Sequence, residues 1–200
     1  MNAQQLQRAL DQLKGWREYA FLLALAERHF PDFALFAQVI GSPYATRLRG
    51  ALDNGWQMLE VKDHKIDAFQ LLTRIEQIRP DPERYDMFGV YPAITACELF
   101  EQALLSRCNP GKPRAGEAAR LSFDSIVRFV EVSEGEGLDD DALVKLFDHH
   151  PLVRAEKAWQ NTLLQMLRRQ GVPDVPFVHE LRRLAENEGV SSIGISLGEG

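Results

Sequence analysis

The segment WREYAFLLALAERHF, Trp16 to Phe30, constrains this chain more than any other. It lacks proline, glycine and strict alternation, so it reads as a helix, and its apolar residues surround the helix axis nearly completely. A helix with no polar side cannot sit on a surface without exposing apolar area to water, so it predicts a central helix wrapped by others. Ala93 to Arg107 forms a second apolar helix, launched from the connector Tyr85-Asp86-Met87-Phe88-Gly89-Val90-Tyr91-Pro92. With 200 residues the chain can bury roughly 70% of its unfolded surface, enough for one good core. We therefore expect a single all-helical domain over residues 1–200.

The punctuation of the chain supports an all-α fold. Proline is tolerated in the first turn of a helix because its missing N–H would be unpaired there anyway. Ser42-Pro43 and Asp81-Pro82 each join a capping oxygen to such a proline, and Pro31, Pro92, Pro151 and Pro176 stand ahead of apolar-periodic stretches. Gly41, Gly171 and Gly189 lie just past the ends of others. The spacing predicts about nine or ten helices, drawn from eleven helical stretches: Ala3 to Leu13, Trp16 to Phe30, Asp32 to Ile40, Pro43 to Val61, Ile66 to Ile78, a short Pro82 to Met87, Ala93 to Arg107, Gly116 to Val132, Asp140 to Phe147, Leu152 to Arg169 and Phe177 to Asn187. Leu48, Leu52, Trp56 and Leu59 share one stripe of the Pro43 to Val61 helix, whose polar side carries Arg49, Asp53 and Glu60. Only the tail, Ser191 to Leu197, alternates as a short strand does, and we expect it to pack as an extended tail or to contact a partner subunit. Cys108 to Arg114 and Ser133 to Asp139 are the expected linkers.

Composition excludes several classes of function. The net charge of −6 works against binding to nucleic acid or anionic membranes, since both require excess Lys and Arg. The longest apolar run, Ala20 to Ala26, is far short of the ~20 residues needed to span a bilayer. Met1-Asn2-Ala3-Gln4-Gln5 has no signal-peptide character, so a cytoplasmic location is expected. Cys97 and Cys108 read as free thiols, with Cys97 in the core.

The familiar catalytic templates fail in turn. Gly194-Ile195-Ser196-Leu197-Gly198 matches the spacing of a hydrolase nucleophile elbow, but no helix can follow it and no acid and histidine lie downstream. Gly135-Glu136-Gly137 lacks the third glycine of a dinucleotide fingerprint, and Gly111-Lys112 lacks the upstream glycine of a phosphate loop. None of His29, His64, His149, His150 and His179 has a glutamate three residues before it, which removes the usual di-metal carboxylate pattern of helical bundles. His149 and His150 read as a solvated helix end, and Glu60 with His64 as an exposed helical pair. No metal and no cofactor are expected.

Two acids and a phenol remain as candidates for a ligand site. Trp16, Ala20, Leu23, Glu27 and Phe30 share a helix face, so Glu27 points where the core should be. A buried carboxylate must be paired or protonated, either in an ion pair with an Arg or Lys of a neighbouring helix or as a functional acid. Asp86 precedes a glycine-containing turn that it could cap. If Glu27, Asp86 and Tyr91 face one cleft, they form an acid and phenol cluster suited to proton transfer or to binding a cation.

The run Phe88-Gly89-Val90-Tyr91-Pro92-Ala93-Ile94 with Ala96-Cys97, the segments Ala26-Glu27-Arg28-His29-Phe30-Pro31 and Leu59-Glu60-Val61-Lys62-Asp63, and the tail Ser192-Ile193-Gly194-Ile195 together resemble the YjaG-like family of bacterial proteins of unknown function. The resemblance spans nearly the whole chain. It implies an all-helical cytoplasmic bacterial protein and supplies no reaction, cofactor or ligand. Two functional readings follow. The first is a non-catalytic module that binds a protein partner or forms a homo-oligomer, with the apolar tail as the docking element. The second is a small-molecule-binding protein or enzyme with an inter-helix site around Glu27, Asp86 and Tyr91.

Overall fold

A computed structural model describes residues 1–60 and 66–196, which contain nine α-helices, two short 3-10 turns and no β-sheet. The helices are α1 (Ala3–Asp11), α2 (Trp16–Val39), α3 (Tyr44–Glu60), α4 (Ala68–Glu76), α5 (Val90–Cys108), α6 (Ala115–Glu134), α7 (Asp140–His149), α8 (Pro151–Arg169) and α9 (Val175–Glu186). Their starts are set by short-range chemistry. Asn2 and Gln5 form a reciprocal capping box on α1, and the carboxylates of Asp67, Asp139 and Asp174 each accept a first-turn N–H at 2.9 Å. Pro92, Pro151 and Pro176 lie in the first turns of α5, α8 and α9.

Pro31 departs from this rule. The sequence predicts a break there and a new helix from Asp32 to Ile40, whereas α2 runs through Pro31 without interruption. An interior proline costs about 3 kcal/mol. Here the cost is offset by packing, because Phe33, Ala34, Phe36 and Ala37 continue the buried surface of the first half of the helix. The expected helix Pro82 to Met87 is also reduced, to a 3-10 turn over Pro82–Arg84 capped by Asp81. Val61 falls outside the described residues, as do Lys62, Asp63 and His64.

Helices α2 and α5 make the most extensive contact in the chain, and α3, α4, α6, α8 and α9 close around them. Eighteen of the 24 residues of α2 are buried, which fulfils the expectation of a central helix. Tyr19, Phe21, Leu22 and Leu25 meet Leu52 and Trp56 of α3 and Leu99, Phe100 and Leu104 of α5 in one core. Gly55 permits the closest crossing: a Cβ at this position would lie 3.0 Å from Leu23 Cδ1 and 3.1 Å from Phe100 Cε2. Cys97 is in this core and burial pushes its thiol up, so it remains protonated; Cys108 is half-buried, and both are free.

A smaller cluster of Ile126 and Val130 from α6, Val153 from α8 and Ile193 from the tail lies to one side. The tail is a hook and not a strand. Gly194, at φ +78°, turns the chain back so that Val190 and Ser196 form an isolated antiparallel bridge, and Ser191 N–H donates to Ile195 C=O at 2.8 Å. Ser191, Ser192 and Ile193 are buried against their own chain. The part of the alternating tail at Leu197, and the Gly198 of the apparent nucleophile elbow, lie outside the described residues.

Candidate functional site

Glu27 is 2% exposed and fully engaged. Its carboxylate accepts both terminal nitrogens of Arg49, with Nη2 at 2.7 Å, and the indole N–H of Trp56 at 2.8 Å. Arg49 extends from α3 over the ring of Phe30 and also donates to Asp53 at 3.1 Å, while Asp53 accepts in turn from Arg182 of α9. Burial lowers the tendency of Arg49 to hold its proton, but the hydrogen bonds and charges of Glu27 and Asp53 outweigh it, and the guanidinium pKa is raised. The arrangement is a bidentate ion pair that locks α3 against α2, and Asp53 in turn fastens α9 to α3. Glu27, Phe30 and Arg49 line an open cleft of about 590 Å³ completed by the end of α9.

Tyr91 lies elsewhere. It is 38% exposed at the start of α5, beneath the guanidinium of Arg128, whose carbon stands 3.8 Å from the ring centroid. Phe88 lies 6.3 Å from Tyr91 and 6.1 Å from Phe129 of α6, so the three rings form an aromatic ridge. This ridge borders a cleft of about 210 Å³ between α5 and α6 that shares no lining residue with the cleft at Glu27. Asp86 is exposed in the connector two residues before Phe88 and lines neither cleft. Tyr91 and Glu27 therefore line separate clefts, and Asp86 lines neither.

The most elaborate polar arrangement escaped the sequence reading. Beneath the tail hook, His29 Nε2 is 2.9 Å from Ser122 Oγ, Ser122 donates to Glu156 Oε1 at 2.9 Å, and Glu156 Oε2 accepts from Arg28 Nε at 3.0 Å. Gln160 donates to Glu156 Oε1 at 2.8 Å and to the carbonyl of Ala119 at 3.1 Å. Ser192 of the tail places its hydroxyl 3.3 Å from the His29 ring, and Asp32 Oδ2 is 3.4 Å from His29 Nδ1. Arg28 also stacks on Trp159, 4.7 Å from the ring centroid.

Asp32, His29 and Ser122 follow the order of a hydrolase triad, but the hydrogens run the wrong way. A serine has one hydroxyl proton. Here it goes to Glu156, a carboxylate held by Arg28, so His29 must donate from Nε2 to Ser122 Oγ, whereas an activated nucleophile donates to its histidine. His29, Ser122 and Glu156 are also wholly inaccessible. The network ties α2, α6, α8 and the tail together. One sequence signal pointed to it: Arg28 and His29 are polar groups on the Trp16 to Phe30 helix, which has no solvent-facing side, so each requires an internal partner.

His150 caps α8, accepting the Leu152 N–H at 3.2 Å, and reaches Glu134 at 3.1 Å. No group of three or more potential metal-ligating side chains occurs among the described residues, and no described helix is long and apolar enough to cross a membrane.

Two central apolar helices, a ring of shorter ones and a tail pinned to a buried histidine define an all-helical protein without a recognisable catalytic centre among the described residues. The chain belongs to the DUF416 family, described as "Protein of unknown function (DUF416)", whose family model matches residues 5–196. It is similar to the uncharacterised protein YjaG of Escherichia coli strain K12, at 29% identity over 93% of both chains. An uncharacterised protein of Haemophilus influenzae is 30% identical over 95% of this chain and 96% of its own. The crystal structure of a DUF416 family protein from Shewanella baltica OS155 superposes with a TM-score of 0.87 at 28% identity, covering 96% of this chain and 98% of that one. The resemblance to the YjaG-like family is thus confirmed, and with it the all-α architecture.

Proposed function

We propose that this chain is a non-catalytic self-association module of the bacterial cytoplasm whose contact face is the ridge of Phe88, Tyr91 and Phe129. The observation that carries this reading is the pattern of charges around the ridge. Arg128 has a cation–π contact with Tyr91 but no acidic partner among the described residues, and Asp86 has no basic one. A two-fold interface must be self-complementary, because each residue meets the same patch of the other copy. An uncommitted acid and an uncommitted base flanking an aromatic ridge satisfy that requirement: Asp86 of one copy meets Arg128 of the other. Tyr, Phe, Met and Arg are the residue types enriched at such surfaces, and Met87, next to Phe88 in the chain, is exposed. In this reading the contact is not made by Ser191 to Ile193 of the tail, which are covered by their own chain.

Sedimentation velocity over a concentration series tests the reading. The wild type forms dimers; Tyr91→Ala, Arg128→Glu and Asp86→Arg each shift it to monomer, and the double charge swap Asp86→Arg/Arg128→Glu restores the dimer. A wild type that stays monomeric to about 1 mM, equivalent to less than about 4 kcal/mol of association, refutes self-association. A double swap that fails to rescue refutes the pairing.

A further inference from the structure

The cavity between α1, α6 and α8 has a chemistry unlike the rest of the molecule. Its volume is about 560 Å³, within the range of small-ligand sites. Leu6 and Leu10 of α1 and Phe123 of α6 give it an apolar wall, and the buried amide of Gln160 lies in its floor. The charged side chains that line it are Arg120 and Lys157, with the amino-terminal Met1 beside them, and no Asp or Glu does. This is a departure for a chain with 29 acids against 23 bases. The two cations are lightly committed: Arg120 stands 4.0 Å from Asp124 and Lys157 3.9 Å from Asp148, long contacts between exposed groups that contribute little. Lys157 also hangs 5.2 Å from the centre of the Phe123 ring, which places its ammonium where the apolar wall meets solvent.

We propose that this cavity binds an aliphatic carboxylate as a free monomer, with its hydrocarbon chain along Leu6, Leu10 and Phe123 and its carboxylate between Arg120 and Lys157. An apolar wall alone would accept any hydrocarbon. The two lining cations and the absence of lining acids select an anionic head and reject a cationic one, because the wrong charge would meet like charge at the mouth. The proposal is independent of the self-association face, which lies on Tyr91 and Phe129 and shares no residue with this cavity.

Titration calorimetry on the full chain, with ligand below its aggregation concentration, provides the test. Sodium decanoate binds one per chain, and decyltrimethylammonium binds at least tenfold more weakly. Across hexanoate, octanoate and decanoate, affinity rises about fourfold per methylene, as burial of each in the apolar wall requires. The variant Arg120→Gln/Lys157→Gln, altered only at exposed positions, loses at least tenfold for decanoate and nothing for decanol. Ala119→Leu, which narrows the cavity from its wall, weakens both while the melting temperature confirms folding. No heat with decanoate, equal affinity for the cationic amphiphile, several molecules bound per chain, or an unaltered Arg120→Gln/Lys157→Gln variant each overturns the proposal.

Discussion

Replacing Glu27 by glutamine distinguishes a structural acid from a functional one. The carboxylate accepts two hydrogen bonds from Arg49 and one from Trp56, and at 2% exposure water cannot replace them. Glutamine keeps the shape but turns one acceptor into a donor, so at least one of the three N–H groups must face another donor. Breaking a buried ion pair typically costs 3–5 kcal/mol. Arg49 retains Asp53, and its side chain is 27% exposed and can recover some water, so the lower end applies, about 3 kcal/mol. For a chain of this length that corresponds to a fall of about 6–12 °C in melting temperature, read directly by calorimetry or as a lower urea midpoint at constant slope. Arg49→Met leaves the carboxylate buried without its partner and costs as much or more. The double variant Glu27→Gln/Arg49→Met falls short of the sum of the two losses by at least about 2 kcal/mol, the coupling expected for direct partners. Glu27→Gln within 0.5 kcal/mol of wild type, or strictly additive losses, would refute the pairing as the reason for Glu27 and return it to the list of functional acids.

Two further outcomes follow from buried groups. Truncation before Ser191 exposes the site of Ile193 and removes the Ser192 contact to His29, together worth about 3 kcal/mol; a urea titration reads the loss, while the sedimentation coefficient stays that of the wild type. Dissociation of the assembly by this truncation would show the tail, and not the Tyr91 ridge, to be the contact. At Glu101, burial first, then repulsion from Glu98 and Glu76, raises the carboxyl above its ordinary 4.5 against the opposing pull of Arg79. A raised acid pKa in the folded state means that stability is greatest below the unfolded pKa and declines as pH rises through the folded one. The stability of wild type minus that of Glu101→Gln, followed by urea midpoints from pH 4 to 8, therefore falls with rising pH, and a flat or rising difference contradicts the reading.

The helices were legible because their signals are local. Asp67, Asp139 and Asp174 act within three residues of their own position, and the apolar surround of α2 needs no knowledge of its neighbours to require burial. Pro31 was misread for the complementary reason. Its preference for a helix start is a local rule, and the packing of Phe33 and Phe36 that overrides it is not. The same division separates Glu27 from its partner: spacing alone places the carboxylate inside, but Arg49 is 22 residues away on another helix and reads as one member of an ordinary polar side.

The polar network shows why function is harder to read than fold in such a chain. His29, Ser122, Glu156 and Ser192 come from three helices and the tail, at separations of 34 to 163 residues, so no spacing pattern can announce them. What the sequence does carry is an obligation. Arg28 and His29 sit on a helix that has no outside, and each must find a partner or forfeit several kcal/mol of desolvation. Where that obligation is met internally, as it is for His29 and for Nε of Arg28, the bonded atoms are no longer free for chemistry. Among the groups held more loosely, at the surface, are Asp86 in the connector, the Tyr91 and Arg128 pair, and Arg120 and Lys157 at the mouth of an apolar cavity. In a chain that spends its buried polar groups on holding helices together, recognition falls to these exposed ones, and the two proposals divide them between a second copy of the chain and a small anion.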